Sequence, residues 1–371
     1  MRIGVPKEIK NHEYRVGLVP AAVMELVKRG HDVYIERDAG VGINLFDSDY
    51  EQAGATIFNS AAELFARAEM IVKVKEPLAD ERAMLRQKQL LFTYLHLAPD
   101  PQQTRDLVAS GASCIAYETV TDARGRLPLL APMSEVAGRL SIQAGAHCLE
   151  KSAGGSGVLL GGVPGVSPAK VVVIGGGVVG YSATRMAVGL GARVVVLDRN
   201  LDVLRSLDEL FCSKIETVHS NDESIAQHVS NADLTIGGVL IPGAAAPKLV
   251  TRKHLQQMTP GSVVVDVAID QGGCFETSHP TTHADPTFVE EAVVHYCVAN
   301  MPGAVARTST FALNHATLPF TLRLADHGLQ ALQQDEHLRR GLNVHQGQVT
   351  CFEVARDLGY DYVSPEQALA M

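Results

Sequence analysis

The run Lys170-Val171-Val172-Val173-Ile174-Gly175-Gly176-Gly177-Val178-Val179-Gly180 leaves the chain few ways to fold. Its consecutive β-branched residues predict a strand covered on both faces, as in a parallel sheet. Three glycines then impose a turn too tight for side chains, and a helical stretch opens at Val178-Val179 and continues to about Gly189. A GxGxxG string alone is weak evidence. Here it has a strand before it, a helix after it, and Asp198 at the end of the next apolar strand. Gly175 permits the turn, Gly177 lets the backbone approach a pyrophosphate, and Gly180 lets helix and strand pack closely. Exposed amides and the positive end of the helix dipole favour an anion there. Asp198 can accept both ribose hydroxyls and would repel a 2′-phosphate, which favours NAD over NADP, although the adjacent Arg199 weakens that preference.

The rest of the chain repeats the alternation of short β-branched runs and helical patterns. Residues 3–5, 33–35, 70–74, 90–95 and 113–116 read as strands, and residues 21–29, 61–68, 102–110 and 132–151 as helices. A second set of strands follows at 171–174, 193–197, 234–236, 262–267 and 294–298. Between the sets lies a loop rich in Gly and Pro. After Arg307 the strands are expected to stop, with helices at 311–327, kinked or broken by Pro319, and at 329–340. A tail of about 65 residues is too small to bury a core alone, so it is expected to pack on the first part of the chain. The predicted fold class is α/β, with two Rossmann-like parallel-sheet domains, the first discontinuous. A length of 371 residues accommodates this.

Open parallel sheets bind ligands beyond the carboxyl ends of their strands, and several ionisable residues fall there. Arg15 lies in the loop after the first strand, Lys75 and His96 follow the strands at 70–74 and 90–95, and Asp270 follows the strand at 262–267. Two cations, an imidazole and a carboxylate suit a small anionic substrate that needs proton transfer. Position alone does not separate Lys75 from Lys73 or Asp270 from Asp266, and Glu118 has a comparable local claim.

Composition removes other classes. With 32 Lys+Arg against 41 Asp+Glu, the formal charge of −9 offers no basic face for nucleic acid. The six cysteines show neither CxxC nor zinc spacing and no HExxH occurs, so no catalytic metal is expected. Ser134 and Ser156 lack a nucleophile-elbow context. No signal peptide or spanning segment is read, and a cytoplasmic location is expected.

Several longer runs carry a resemblance. They are Met1-Arg2-Ile3-Gly4-Val5-Pro6-Lys7-Glu8-Ile9-Lys10, Glu13-Tyr14-Arg15-Val16, Val74-Lys75-Glu76-Pro77 and Phe92-Thr93-Tyr94-Leu95-His96-Leu97-Ala98, all in the first part of the chain. Further on come Pro132-Met133-Ser134-Glu135-Val136-Ala137-Gly138-Arg139, Asp266-Val267-Ala268-Ile269-Asp270-Gln271-Gly272-Gly273-Cys274 and Tyr296-Cys297-Val298-Ala299-Asn300-Met301-Pro302-Gly303. Together they resemble the alanine dehydrogenase and pyridine nucleotide transhydrogenase family over essentially the whole chain. The resemblance implies an NAD-binding domain at residues 129–305 and a substrate domain made of residues 1–128 plus 306–371. It implies reversible oxidative deamination of L-alanine to pyruvate and ammonia. Arg15 and Lys75 would hold the substrate, and His96 and Asp270 would be the acid/base pair. Beside the glycine turn and Asp198, the cofactor would be lined by Ser134, Ser220, Val239, Leu240, Val267, Ala268, Ile269, Asp270, Val298, Ala299, Asn300 and Met301. A homo-oligomer, commonly a hexamer, is also implied.

Three positions depart from the family pattern. His279 stands where an Arg would contact the cofactor and Val203 where a Lys would lie near the adenosine. Arg323 replaces a carboxylate that helps His327 hold a magnesium ion in some relatives, which argues against that ion. A hydride-passing subunit would need the glycine turn but not Arg15, Lys75, His96 and Asp270, so their presence favours the dehydrogenase.

Overall fold

The computed structural model describes residues 1–239 and 246–370, which divide into two compact units, Met1–Met133 with Val305–Met371, and Ser134–Ala304. Unit 1 contains β1 (Arg2–Val5), β2 (Asp32–Glu36), β3 (Thr56–Phe58), β4 (Met70–Val72), β5 (Leu90–Thr93) and β6 (Ser113–Ala116). Unit 2 contains β7 (Lys170–Ile174), β8 (Arg193–Asp198), β9 (Ile215–His219), β10 (Leu234–Gly237), β11 (Val263–Asp266), β12 (Thr287–Glu290) and β13 (Val293–Tyr296). β14 (Leu342–His345) and β15 (Gln348–Val349) return to unit 1. The expected α/β class with two parallel-sheet domains, the first discontinuous, is borne out.

In unit 1 the strand order is β15-β14-β6-β5-β4-β1-β2-β3, parallel from β6 to β3, with β14 and β15 antiparallel at one edge. The chain runs outward from β1 through β2 to β3, then returns to place β4 on the other side of β1. That reversal is a topological switch point, and it opens a crevice beyond the carboxyl ends of β1 and β4. β4, β5 and β6 are apolar and buried along their lengths because helices such as Ala61–Arg67 and Pro101–Ser110 cover the sheet. Unit 2 repeats the logic with order β12-β13-β11-β10-β7-β8-β9 and its switch point between β7 and β10. Val172, Ile174, Val195, Leu197, Val264 and Phe275 belong to a core cluster of that unit.

Three expectations about the tail are corrected. Strands do not stop after Arg307: β14 pairs antiparallel with β6 and turns through Gln346 and Gly347, both at positive φ, into β15. These strands are short, and their apolar residues are defined by the sheet edge they cover. Pro319 does not break its helix, which runs unbroken from Ala306 to His327. Pro319 and His315, whose carbonyl loses its usual donor, are both exposed, so water can replace the missing bond. The helix expected at 329–340 is two, Gln330–Gln334 and Glu336–Arg339. Asp335 divides them by accepting bonds from the amides of His337 and Leu338, as a helix N-cap does.

Asn314 explains how the late helix completes unit 1. It is 2 % exposed; its Oδ1 accepts from Val19 N at 2.9 Å and its Nδ2 donates to Gly17 O at 3.2 Å. Those two backbone groups belong to the loop that carries Arg15. Replacing Asn314 with Ala leaves them without this partner and is expected to cost about 1–3 kcal/mol. Urea unfolding should show a lower midpoint with an unchanged slope; an unchanged midpoint would remove Asn314 from the account of how the tail is held.

Candidate active site

The ionisable residues of unit 1 stand on the carboxyl ends of neighbouring strands. Lys73 and Lys75, inseparable by sequence, differ in their surroundings. Lys73 Nζ is fully buried and bonds Glu8 Oε2 at 3.1 Å and Glu81 Oε1 at 2.6 Å. Burial alone would lower its pKa, but the two carboxylates outweigh that and hold it above the ordinary lysine value. Lys73 is thus a structural cation. Lys75 keeps its side chain 11 % exposed and pairs with Glu76 at 3.3 Å. Lys10 also contacts Glu76. Burial raises the Glu76 carboxyl, yet Lys75 and Lys10 prevail and depress it to about 2. The cluster therefore contributes fully above the usual value of 4.5 and loses that contribution as pH falls through about 2.

Glu8 joins the strand ends. Its Oε1 accepts from Val74 N at 2.7 Å and Lys75 N at 3.4 Å, while Oε2 holds Lys73. Further along the same loop, Glu13 grips Arg15 in bidentate fashion, Nε to Oε1 at 2.7 Å and Nη2 to Oε2 at 2.6 Å. Arg15 Nη1 lies 3.1 Å from Met133 Sδ. The guanidinium is 2 % exposed, and Glu13 keeps it charged against the cost of burial.

His96 follows β5 in a left-handed conformation, φ 49°, which an L side chain adopts only under constraint. The constraint is Glu118, beyond β6. Its carboxylate accepts from His96 N at 2.6 Å and Leu95 N at 3.2 Å, and its Oε1 faces His96 Nδ1 at 3.8 Å. Tyr94 lies parallel to the imidazole, centroids 5.8 Å apart and planes 5° from parallel, and its hydroxyl donates to Leu129 O at 2.6 Å. Burial pushes the Tyr94 and Tyr117 phenols up, so both remain neutral donors. Tyr117 donates to Lys73 O at 3.0 Å, linking this group to the buried lysine. Sequence reasoning identified Arg15, Lys75 and His96 but gave no supporting role to Glu8, Glu13 or Tyr94; an acid two residues before Arg15 was the available signal.

In unit 2 the glycine turn is sterically obligatory. Gly175 has φ +96°, and a Cβ on Gly180 would sit 1.7 Å from Gly175 O. A Cβ on Gly177 would meet nothing within 4 Å, so the space above that residue is open. Gly177 caps the helix Val178–Gly189 without a side-chain hydrogen bond, so its first amides are available to an anion. Asp198 Oδ2 accepts from Gly176 N and Oδ1 from Asn200 N, each at 2.7 Å. These features fit a dinucleotide. A cleft of about 450 Å³, lined in part by Gly176, Gly177, Val178, Val203 and Leu207, lies beside them.

Most of the other residues expected to line the cofactor follow strands of unit 2. Ser220 follows β9 and bonds Asp198 O through its amide at 2.9 Å. Val239 follows β10, whereas Leu240 lies outside the described residues. Val267 and Ala268 follow β11; Ile269 and Asp270 begin the short turn Ile269–Gln271, where Asp270 is exposed. Asp266 is fully buried and accepts from three amides, a structural role that separates it from Asp270. Val298, Ala299, Asn300 and Met301 follow β13, with Asn300 at φ 63° and its carbonyl accepting from His283. Ser134 is partly exposed near the start of the helix Ala131–Cys148. His279 stacks on Phe288 with centroids 3.8 Å apart, Val203 lines the cleft, and Arg323 pairs with Asp335. Among the described residues no group of three His, Cys, Asp or Glu could hold a metal, and no helix is long and apolar enough to cross a membrane.

The sheets and their switch-point loops define a two-unit α/β protein with a dinucleotide-type glycine turn in the second unit. Comparison makes this particular. Residues 4–137 match the N-terminal domain, and residues 141–352 the C-terminal domain, of the Alanine dehydrogenase/PNT family. The chain is similar to an alanine dehydrogenase from Halomonas elongata, 60 % identical over 98 % of both chains. A solved L-alanine dehydrogenase superposes with TM-score 0.94 at 54 % identity, covering 97 % of this chain and 99 % of that one. A transhydrogenase from Sinorhizobium meliloti gives TM-score 0.81 at 25 % identity, with 95 % and 99 % coverage. The chain belongs to the Alanine dehydrogenase/PNT family.

The division between the two lysines is testable. Lys73→Met strands two buried carboxylates and is expected to destabilise the fold by about 3–5 kcal/mol. Lys75→Met leaves Glu76 with Lys10 and is expected to cost less, about 1–2 kcal/mol. Denaturant midpoints measured side by side decide it, and equal losses would contradict the distinction.

Proposed function

We propose that this chain is an NAD-dependent oxidoreductase that converts L-alanine and water to pyruvate and ammonia, reversibly. The observation that carries the reading is the set of Arg15, Lys75 and His96 on the ends of β1, β4 and β5, in a chain so similar to alanine dehydrogenases throughout its length. Residues 1–128 plus 306–371 form the substrate domain, and residues 129–305 form the cofactor domain.

Arg15 and Lys75 hold the substrate carboxylate. Glu13 fixes the plane of the guanidinium and Glu76 holds the Lys75 ammonium, so less side-chain entropy remains to be lost on binding. NAD, held by the glycine turn of unit 2, would supply the hydride-accepting chemistry of the oxidation. His96 moves protons to and from the adding water and the departing ammonia; with Nδ1 facing Glu118, Nε2 is the nitrogen that exchanges them. Asp270 stabilises the cationic imine that forms on the substrate. In unit 2 the amides of Val178 and Val179 would hold the pyrophosphate and Asp198 the ribose. Ser134, Ser220, Val239, Leu240, Val267–Asp270 and Val298–Met301 line the remainder. The protein works as a cytoplasmic homo-oligomer, a hexamer as the family resemblance implies.

Retention of Arg15, Lys75, His96 and Asp270 separates this reading from a hydride-passing role, for which the glycine turn would suffice. The deciding assay follows oxidation of NADH and NADPH separately with ammonia and pyruvate, glyoxylate, 2-oxobutyrate or 2-oxoglutarate. Pyruvate with NADH is expected to be fastest, and NADPH slower by at least about 10-fold because Asp198 repels a 2′-phosphate. No ammonia-dependent rate with pyruvate would overturn the assignment. His96→Ala and Asp270→Asn should each reduce turnover by about 100-fold or more, with NADH binding retained in a fluorescence titration. Near-normal turnover in either variant removes that residue from the mechanism.

A further inference from the structure

The loop that carries Asp270 is held by an arrangement that the proposed chemistry does not use. Asp266 sits at its root, fully buried, with its carboxylate turned toward both ends of the loop. Oδ1 accepts from Ala268 N and Cys274 N, both at 3.2 Å, and Oδ2 accepts from Phe275 N at 3.3 Å. The loop wraps this carboxylate so closely that a Cβ on Gly273, itself at φ +78°, would lie 2.4 Å from Oδ2. Asp266 therefore closes residues 268–275 into a ring, with Asp270 near its apex.

A second element grips the same ring from outside. Lys248 Nζ donates to Phe275 O at 2.9 Å and to Gly272 O. The backbone around it is bonded to the loop as well: Ala246 N donates to Gln271 O at 2.8 Å, and Leu249 N to Cys274 O at 2.8 Å. Asp266 thus takes amides of the ring and Lys248 takes its carbonyls. The two charges act on opposite poles of the loop dipoles, and both reinforce one conformation. Asp270 is exposed, so this backbone clamp is what defines its position.

We infer that Lys248 and Asp266 are positioning residues for Asp270, clamping the 267–275 loop so that its carboxylate is presented in one orientation. The inference rests on the proposed role of Asp270. Lys248 is the better probe because it is exposed and its loss leaves the core intact, whereas Asp266→Asn would set an amide N–H against a backbone N–H and threaten the fold.

The test uses the full-length protein with Lys248→Met, Lys248→Arg, Asp270→Asn and the double variant Lys248→Met/Asp270→Asn. Hydrogen–deuterium exchange of the peptide spanning 267–275 is expected to quicken by about 10-fold or more in Lys248→Met, to stay near wild type in Asp270→Asn, and to be largely restored in Lys248→Arg. Turnover of Lys248→Met should fall about 10- to 100-fold, with the NADH dissociation constant little changed. The double variant should be no slower than Asp270→Asn alone, because a residue that acts through Asp270 has nothing left to position. Unchanged exchange in Lys248→Met would overturn the clamp. Faster exchange with full turnover, or a double variant slower by the product of the single effects, would overturn the positioning role. Full turnover in Asp270→Asn would instead discard the catalytic reading of Asp270, while exchange still reports on the clamp.

Discussion

Glu8 is the point at which the architecture of unit 1 becomes a site. It leaves β1 at the switch point and uses one carboxylate oxygen for the buried ammonium of Lys73 and the other for the amides of Val74 and Lys75. A buried ammonium between two carboxylates is costly to desolvate and gains little net stability over a well-packed apolar cluster. What it does provide is registration. The loop after β1, which carries Arg15, and the loop after β4, which carries Lys75, share one charged anchor. Neither can shift far without exposing a charge to an environment that does not solvate it.

Unit 2 secures its cradle by shape. Contact between Gly180 and the carbonyl of Gly175 admits no side chain, and that close approach puts the start of the helix Val178–Gly189 directly over β7. Positioning here relies on the absence of atoms, and in unit 1 on paired charges. The difference follows the ligand groups proposed for each. A pyrophosphate is bound by several backbone amides that must come near it, whereas a small carboxylate needs a few long cationic side chains held still.

This difference also governs what could be read from the sequence. A glycine turn between an apolar strand and a helix is a local pattern, so residues 170–189 were legible without coordinates. The choice between Lys73 and Lys75 was not, because burial of Lys73 is decided by Glu8 and Glu81, whose proximity exists only after the sheet has formed. Asp266 and Asp270 present the same case: both follow a β-branched run, and only the wrap of residues 268–275 shows that one serves the backbone and the other faces outward. The β14–β15 hairpin is not legible in the sequence because strands of four and two residues leave almost no periodicity, and β6, on which β14 pairs, lies more than two hundred residues earlier. Pro319 misled for a simpler reason. Proline disfavours a helix interior through a lost donor and a ring clash with the carbonyl four residues back, and on an exposed face that carbonyl, His315 O, can tilt outward to water.

The charges of unit 1 also bear on how selectivity could arise. In the ion pairs around the strand ends, Lys10, Arg15, Lys73 and Lys75 stand against Glu8, Glu13, Glu76 and Glu81, four cations to four carboxylates. This set carries no surplus positive charge to draw in anions indiscriminately. On the roles proposed for Arg15 and Lys75, attraction for a substrate carboxylate comes from donors aimed in fixed directions, whose countercharges orient them as well as neutralise them. One carboxylate can be accommodated by such directed bonds. A second would have to approach Glu13 or Glu76, and in a partly buried site that repulsion is weakly screened. If Arg15 and Lys75 act as proposed, the same pairing that immobilises them favours a substrate with a single acidic group.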